Sequence, residues 1–158
     1  MDHLYIAIGK QTCFKCKKET NVVSFASDLY YSIDDEYFEL FDEDINFISD
    51  VEGVPETLLE YLKENFKFYN GYSKFAQASY LGNHCEHCGV LQGDFYLHHE
   101  PDGPFFVDSA DKAKELRILR LKLPFDLQIG GSFSLCSEDY LIKKYGQFEE
   151  LDINLKIE

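Results

Sequence analysis

Two C-x-x-C pairs, Cys13-Phe14-Lys15-Cys16 and Cys85-Glu86-His87-Cys88, constrain this chain more than any other feature of it. Thiolate is a strong, soft ligand, and two residues between cysteines let both sulfurs turn onto one tetrahedral ion. The expectation is a closed site in which Cys13, Cys16, Cys85 and Cys88 hold a structural Zn2+. Gly89, directly after Cys88, suits the tight turn of such a knuckle. A one-iron site uses the same four ligands, so the spacing favours zinc without excluding iron. A thioredoxin-like redox pair is the weaker reading, because such motifs occur singly at the start of a helix.

Sixty-eight residues separate Cys16 from Cys85. An ion shared by the two pairs closes that whole loop, so it is expected to stabilise the global fold and not only a local hairpin. A fifth cysteine, Cys136, lies among Phe133, Leu135 and Leu141 and reads as a small buried hydrophobe. The odd count argues against a disulfide framework and suits a reducing compartment. Met1-Asp2-His3 lacks the basic and apolar regions of a signal peptide. No apolar run reaches the roughly 18–20 residues of a membrane span. The expected location is cytoplasmic, with no membrane partner.

The 158 residues carry a formal net charge of −14, unevenly spread. Residues 28 to 64 hold thirteen acidic side chains against one basic, Lys63, while residues 1 to 23 have four lysines against Asp2 and Glu19. The acidic stretch repels phosphate, which makes nucleic acid an unlikely partner. It reads either as a solvated face that maintains solubility or as a surface for a basic partner protein. Lys10, Lys15, Lys17 and Lys18 crowd the first pair. They fit either as charges offsetting a zinc tetrathiolate of about −2 or as ordinary turn residues.

The pattern predicts a single α+β domain over residues 1–158, with antiparallel strands, two or three helices and a zinc-ribbon-like four-cysteine site formed by two distant knuckles. Strands are expected at 4–9 and 20–26, flanking the first knuckle. An acidic, aromatic insertion follows over about 28–68; its first part, 28–50, reads as short strands or an irregular excursion. A helix opens at Val54-Pro55-Glu56 and runs to about Lys67, because Leu58, Leu59, Leu62 and Phe66 recur at helical spacing. Asn70-Gly71 reads as a turn and 89–99 as extended, with Glu100-Pro101-Asp102-Gly103-Pro104 turning the chain. Ser109 caps a short helix to Lys114, and 116–123 is a strand stopped by Pro124. Residues 125–129 read as a further strand ending at Gly130-Gly131, Ser137 as the cap of a helix over 138–145, and 151–155 as a closing strand.

No catalytic set stands out. His84-x-Glu86 has the first half of a zinc-deaminase signature without the later P-C-x-x-C. His98-His99-Glu100 is the best remaining acid–base candidate, set against surface histidines after a strand. Four cysteines fill a tetrahedral ion's positions and leave none for a catalytic water. The alternative is a metal-dependent hydrolase using His98, His99, Glu100 or Asp94, in which one cysteine is not a ligand.

The run from Thr12 to Thr20 with Val22-Val23, then Asn83 to Gly89, Leu91-Gln92-Gly93-Asp94-Phe95 and Glu100-Pro101-x-Gly103-Pro104-Phe105-Phe106, resembles a group of uncharacterised bacterial zinc-ribbon-like proteins. The resemblance implies the same four cysteine ligands and a bacterial or phage origin, and transfers no catalytic residue. Lys17 departs from the usual knuckle, where glycine often follows the second cysteine. Together these features point to a zinc-stabilised, non-enzymatic acidic protein that works by protein–protein interaction, an inhibitor or immunity-type protein being one specific form.

Overall fold

The run Leu4-Tyr5-Ile6-Ala7-Ile8 offers no polar residue to turn toward water, as a strand buried on both faces requires. It forms the middle of β1 (His3–Thr12). The fold is taken from a computed structural model and described for residues 3–31, 40–133 and 140–156. β1 pairs antiparallel with β2 (Glu19–Tyr31) on one side and with β7 (Arg117–Lys122) on the other, placing Ile8 opposite Val23 and Ile6 opposite Leu119. β3 (Leu40–Glu52) and β8 (Gly130–Phe133) extend the sheet beyond β2, and β9 (Gln147–Leu151) closes the far edge. The order is β8-β3-β2-β1-β7-β9, antiparallel except for the parallel β7–β9 pair. A second sheet, β4-β5-β6, consists of Phe68–Ser73, Ala78–His84 and Leu91–Gln92.

Strand alternation divides the core in two. Leu4, Ile6, Ile8, Val23 and Phe25 face one side of the large sheet, where they meet Leu58 and Leu62 of α1 (Glu56–Phe66) and Phe68 of β4. Tyr5, Ala7, Val22 and Ala26 face the other, where they meet Leu97, Ala113, Leu141 and Ile142. The last four lie on three short helices: α2 (Asp94–His98), α3 (Ala110–Lys114) and α4 (Tyr140–Tyr145). The chain between β5 and α2 therefore crosses from one face to the other around the end of the large sheet. That crossing carries Cys85 and Cys88.

The α+β class and both strands flanking the first knuckle are as expected, and so are α1, with Lys67 as its left-handed C-cap, and α3, with the Ser109 hydroxyl accepting from Lys112 N–H. Five readings are corrected. Asn70-Gly71 lies inside β4, and the chain turns at 74–77. Residues 94–98 are a helix, the fourth among the described residues; the adjacent burial of Leu97 and His98 does not suit a strand that alternates in and out. Residues 125–129 form no strand, although Leu127 is buried and Phe125 and Ile129 pack beside it. The closing strand is 147–151, and Ile153 and Leu155 pack into the core without ladder partners. In both places alternating burial occurs without backbone pairing. The edge pair β7–β9 is parallel because the chain returns to β7 through α4. Cys136, Ser137 and residues 32–39 of the acidic stretch lie outside the described residues.

Candidate metal centre

Each cysteine pair sits in the same backbone turn. In the first, Cys13 N–H donates to the Lys18 carbonyl and Lys17 N–H to the Cys13 carbonyl, at 2.9 and 3.0 Å. In the second, Cys85 N–H donates to Val90 and Gly89 N–H to Cys85, both at 2.9 Å. The residue after the second cysteine takes a left-handed conformation in both, with φ of 64° at Lys17 and 76° at Gly89. Lys17 thus adopts the conformation that glycine usually supplies, despite its side chain.

The two turns face one another. Cys13 Sγ lies 3.7 Å from Cys88 Sγ, and Cys16 Sγ lies 3.6 Å from Cys85 Sγ. All four sulfurs fall within 4.8 Å of one another. A tetrahedron with metal–sulfur bonds of about 2.3 Å has edges of about 3.8 Å, so the four sulfurs are spaced to hold one ion. A disulfide needs about 2.05 Å, and these four cysteines are free. Cys13 and Cys85 are buried, Cys16 half-buried and Cys88 exposed.

The electrostatics suit a cation. Burial opposes charge on Cys13, but hydrogen bonds from the backbone N–H groups of Cys16 and Lys15, from the Gln92 carboxamide and from Cys88 bring its thiol down to about 6. Cys85 is lowered in the same way: burial opposes it, and the Cys88 and His87 N–H groups outweigh that. Cys16 receives the Lys18 N–H, yet burial and the neighbouring thiols Cys85, Cys13 and Cys88 push it up to about 11. Four sulfurs this close do not all ionise unless positive charge is placed among them.

Side chains that the spacing of cysteines does not reveal lock the knuckles together. Glu86 N–H donates to Thr20 Oγ1 at 3.0 Å, Asn21 Nδ2 to Glu86 Oε1 at 3.2 Å, and Gln92 Nε2 to Cys13 Sγ at 3.5 Å. Asn83 is buried and makes two hydrogen bonds to one residue: it accepts from Val23 N–H at 2.8 Å and donates to the Val23 carbonyl at 2.9 Å. The β2–β3 register begins at Phe25–Ile48, and Asp50 has a φ of 52°, so Asn83 serves Val23 where β3 has turned away. Of the four knuckle lysines, Lys10 pairs with Glu19 at 3.5 Å.

The histidines are engaged elsewhere. His87 Nε2 meets the Glu19 carbonyl at 2.9 Å. His84 stacks on Tyr69 with ring centres 3.8 Å apart, its pKa lowered by burial. His98 is buried, with Nε2 2.8 Å from Ser24 Oγ and Nδ1 3.0 Å from the Asp94 carbonyl, so both ring nitrogens are taken. Burial pushes its pKa down to about 4, and burial raises Asp94 to about 6. His99 is exposed and Glu100 half-buried, and neither belongs to the sulfur cluster. The four-cysteine group is the metal-competent cluster among the described residues. An open groove of about 520 Å³ lies between the β1–β2 hairpin and α3, with no cysteine or histidine in its lining.

No family model matches the chain, and comparison with curated proteins and with solved structures finds no match either. The shared turn geometry and the four clustered sulfurs are what remain of the zinc-ribbon resemblance. Among the described residues, no helix is long and apolar enough to cross a membrane.

Proposed function

We propose that this chain is a zinc-stabilised, non-enzymatic protein that acts by binding a basic protein partner, with Cys13, Cys16, Cys85 and Cys88 as the ligands of a structural ion. The observation that carries the structural half is the four-sulfur cluster, closed on all sides by cysteine. An ion there completes its coordination with protein and offers no position to a substrate. When bound, zinc supplies positive charge and cross-linking; the chain's own groups do the rest. The Lys15 and Cys16 N–H groups and the Gln92 carboxamide favour the thiolate of Cys13, the His87 and Cys88 N–H groups that of Cys85, and the two left-handed turns bring the pairs together.

The partner half rests on charge. The thirteen acidic residues of 28–64 form a strongly anionic stretch rich in aromatic rings, which suits the basic surface of another protein, as an inhibitor or immunity-type protein requires. The hydrolase alternative gains nothing from the geometry, because both His98 ring nitrogens are occupied and the cysteines cluster as four.

Elemental analysis with native mass spectrometry tests the first half. One zinc per chain is expected, lost on Ser substitution of Cys13, Cys16, Cys85 or Cys88 and kept in Cys136→Ser. Retention of zinc after loss of a whole C-x-x-C pair overturns the ligand set. A pull-down from bacterial lysate tests the second: capture is expected at low salt, weakened by reversing charges among Asp34, Asp35, Glu39, Asp42, Glu43 and Asp44. Recovery of no partner at low and moderate salt alike counts against the binding role.

A further inference from the structure

We propose that the open edge of β1 at Lys10 and Thr12 docks an extended segment of a basic protein, which adds to the large sheet as a further strand. The existence of such a partner rests on the reading above; the edge rests on strand register alone.

β1 pairs with β2 as far as Thr12 opposite Glu19, but with β7 only as far as Ile8 opposite Arg117. Two neighbours fix the direction in which the remaining backbone groups point. Cys13 N–H donates to the Lys18 carbonyl on the β2 side, so alternation turns Gln11 and Gly9 toward β2 and Thr12, Lys10 and Ile8 away from it. Val23 gives the same parity: it stands opposite Ile8 and directs its own N–H and C=O away from β1, to Asn83. Two more residues of β7 would bring Glu115 opposite Lys10. Instead Glu115 caps α3 and gives its N–H to the Lys112 carbonyl. Among the described residues, the N–H and C=O groups of Lys10 and Thr12 therefore have no ladder partner on that side.

The space beside this edge is open. The groove of about 520 Å³ has Gly9 and Lys10 on one wall and Pro104, Glu115 and Leu116 on the other. By alternation Lys10 and Glu19 belong to the sheet face that carries Ile8 and Val23, whereas Leu116 packs on the face that carries Ala7. The groove thus opens on the edge itself and not on either face. From Gly9 to Thr12 the edge spans about 13 Å, room for about four residues of added strand. Charge selects the segment. Lys10 pairs with Glu19, and Lys112 is held by the Phe106 carbonyl and Asp108. Asp102 and Glu115 are exposed and take part in no ion pair among the described residues. Two uncompensated carboxylates favour lysine or arginine on the incoming strand, while main-chain hydrogen bonds supply the affinity.

The probe is a fluorescein-labelled, amide-capped hexapeptide of alternating lysine and valine, titrated by fluorescence anisotropy in about 150 mM salt, where exposed charges beyond about 8 Å are screened. Saturable one-to-one binding is expected. Backbone N-methylation of the lysines alone, or of the valines alone, gives two peptides of equal charge. Only one set of N–H groups faces β1, so one peptide should bind at least about tenfold more weakly and the other within about twofold. Glu115→Lys and Asp102→Lys should each weaken binding severalfold. Asp152→Lys, an equal change of charge at the opposite end of the sheet, should weaken it no more than about twofold. By NMR hydrogen exchange, Lys10 and Thr12 N–H in the free protein should exchange far faster than Ile8 N–H, and saturating peptide should slow Lys10. Absence of binding, equal weakening by the two N-methylated peptides, or equal weakening by Glu115→Lys and Asp152→Lys overturns the proposal. So does protection of Lys10 without peptide: a constant protection means that the edge is closed, and one rising with protein concentration means that a second copy covers it. The partner reading fails separately, when the pull-down recovers nothing while the peptide still binds.

Discussion

At the scale of single residues, Gly71 shows how a turn signal is a packing signal in disguise. Its dipeptide Asn70-Gly71 has turn composition, yet it lies in β4 because the His84 ring lies across it: a Cβ at residue 71 would sit 2.4 Å from His84 Nε2. Gly71→Ala is therefore expected to cost about 1–3 kcal/mol in urea denaturation, the range for overpacking. The same change in a His84→Ala background should cost almost nothing, and equal costs in both backgrounds would sink this account. His98 and Asp94 oppose each other through pH. His98 is lowered to about 4 from 6.5, so the unfolded chain binds the extra proton and stability falls as pH drops from about 6.5 to 4. Asp94 is raised to about 6 from 3.8, so the folded chain binds the extra proton and stability rises over much of the same acid range. Asp94→Asn, whose carbonyl can still accept the Asp50 N–H, is expected to stabilise the fold by about 1–2 kcal/mol at pH 7 after allowance for its partial exposure. That advantage should vanish by about pH 4; thermal denaturation of both proteins across pH 4–7 checks it, because the shared thiolate site cancels in the difference.

At the scale of elements, the knuckles were legible and their fastening was not. Cysteine spacing carries its own geometry, so Cys13, Cys16, Cys85 and Cys88 could be grouped across 68 intervening residues. β1 was legible because a strand buried on both faces needs a continuous apolar run, and α1 because its leucines recur at helical spacing. Residues 125–129 and 151–155 carried the alternation of strands, but alternation records only which side chains face the core. Whether the backbone finds a partner depends on a neighbour that the local pattern does not contain. α2 was missed because five residues are too few to separate one period from another. Asn83 gave no signal, since its role depends on where β3 ceases to pair with β2. It joins the two sheets through both hydrogen bonds to Val23, and Asn83→Ala leaves a buried N–H and a buried carbonyl without partners. A loss of about 2–4 kcal/mol is expected by denaturant titration. Asn83→Asp should be worse than Asn83→Ala or equal to it, because a carboxylate cannot donate to the Val23 carbonyl; a milder effect for Asp would show that the donor half of the pair is dispensable.

At the scale of the whole molecule, the attachments that hold α1 and the small sheet on the large one include the apolar cluster around Leu58, Leu62 and Phe68, the Asn83 bridge, and the knuckle junction with its sulfur cluster and the Glu86 and His87 bonds to β2. The first two are present whatever the metal does. The third differs in kind, because it turns a separation of 69 to 75 positions into a closed loop. In chain-entropy terms such a closure is worth about 4 kcal/mol, and removal of the ion takes away the positive charge that lets four neighbouring sulfurs ionise together. For a domain of this size each kcal/mol moves the midpoint by about 2–4 °C, so stripping the metal with a chelator should lower Tm by about 10 °C or more. Refilling with zinc should restore it. Because Cys16→Ser breaks the same closure, chelation should do little further to that variant, and the two losses should not add. The remaining apolar cluster predicts a chain that is weakened and still folded at low temperature, which circular dichroism can follow. An unchanged Tm after complete metal removal would mean that the apolar contacts, Asn83 and the Glu86 and His87 bonds to β2 close the fold without the ion, and that the four cysteines serve the ion more than the ion serves the structure.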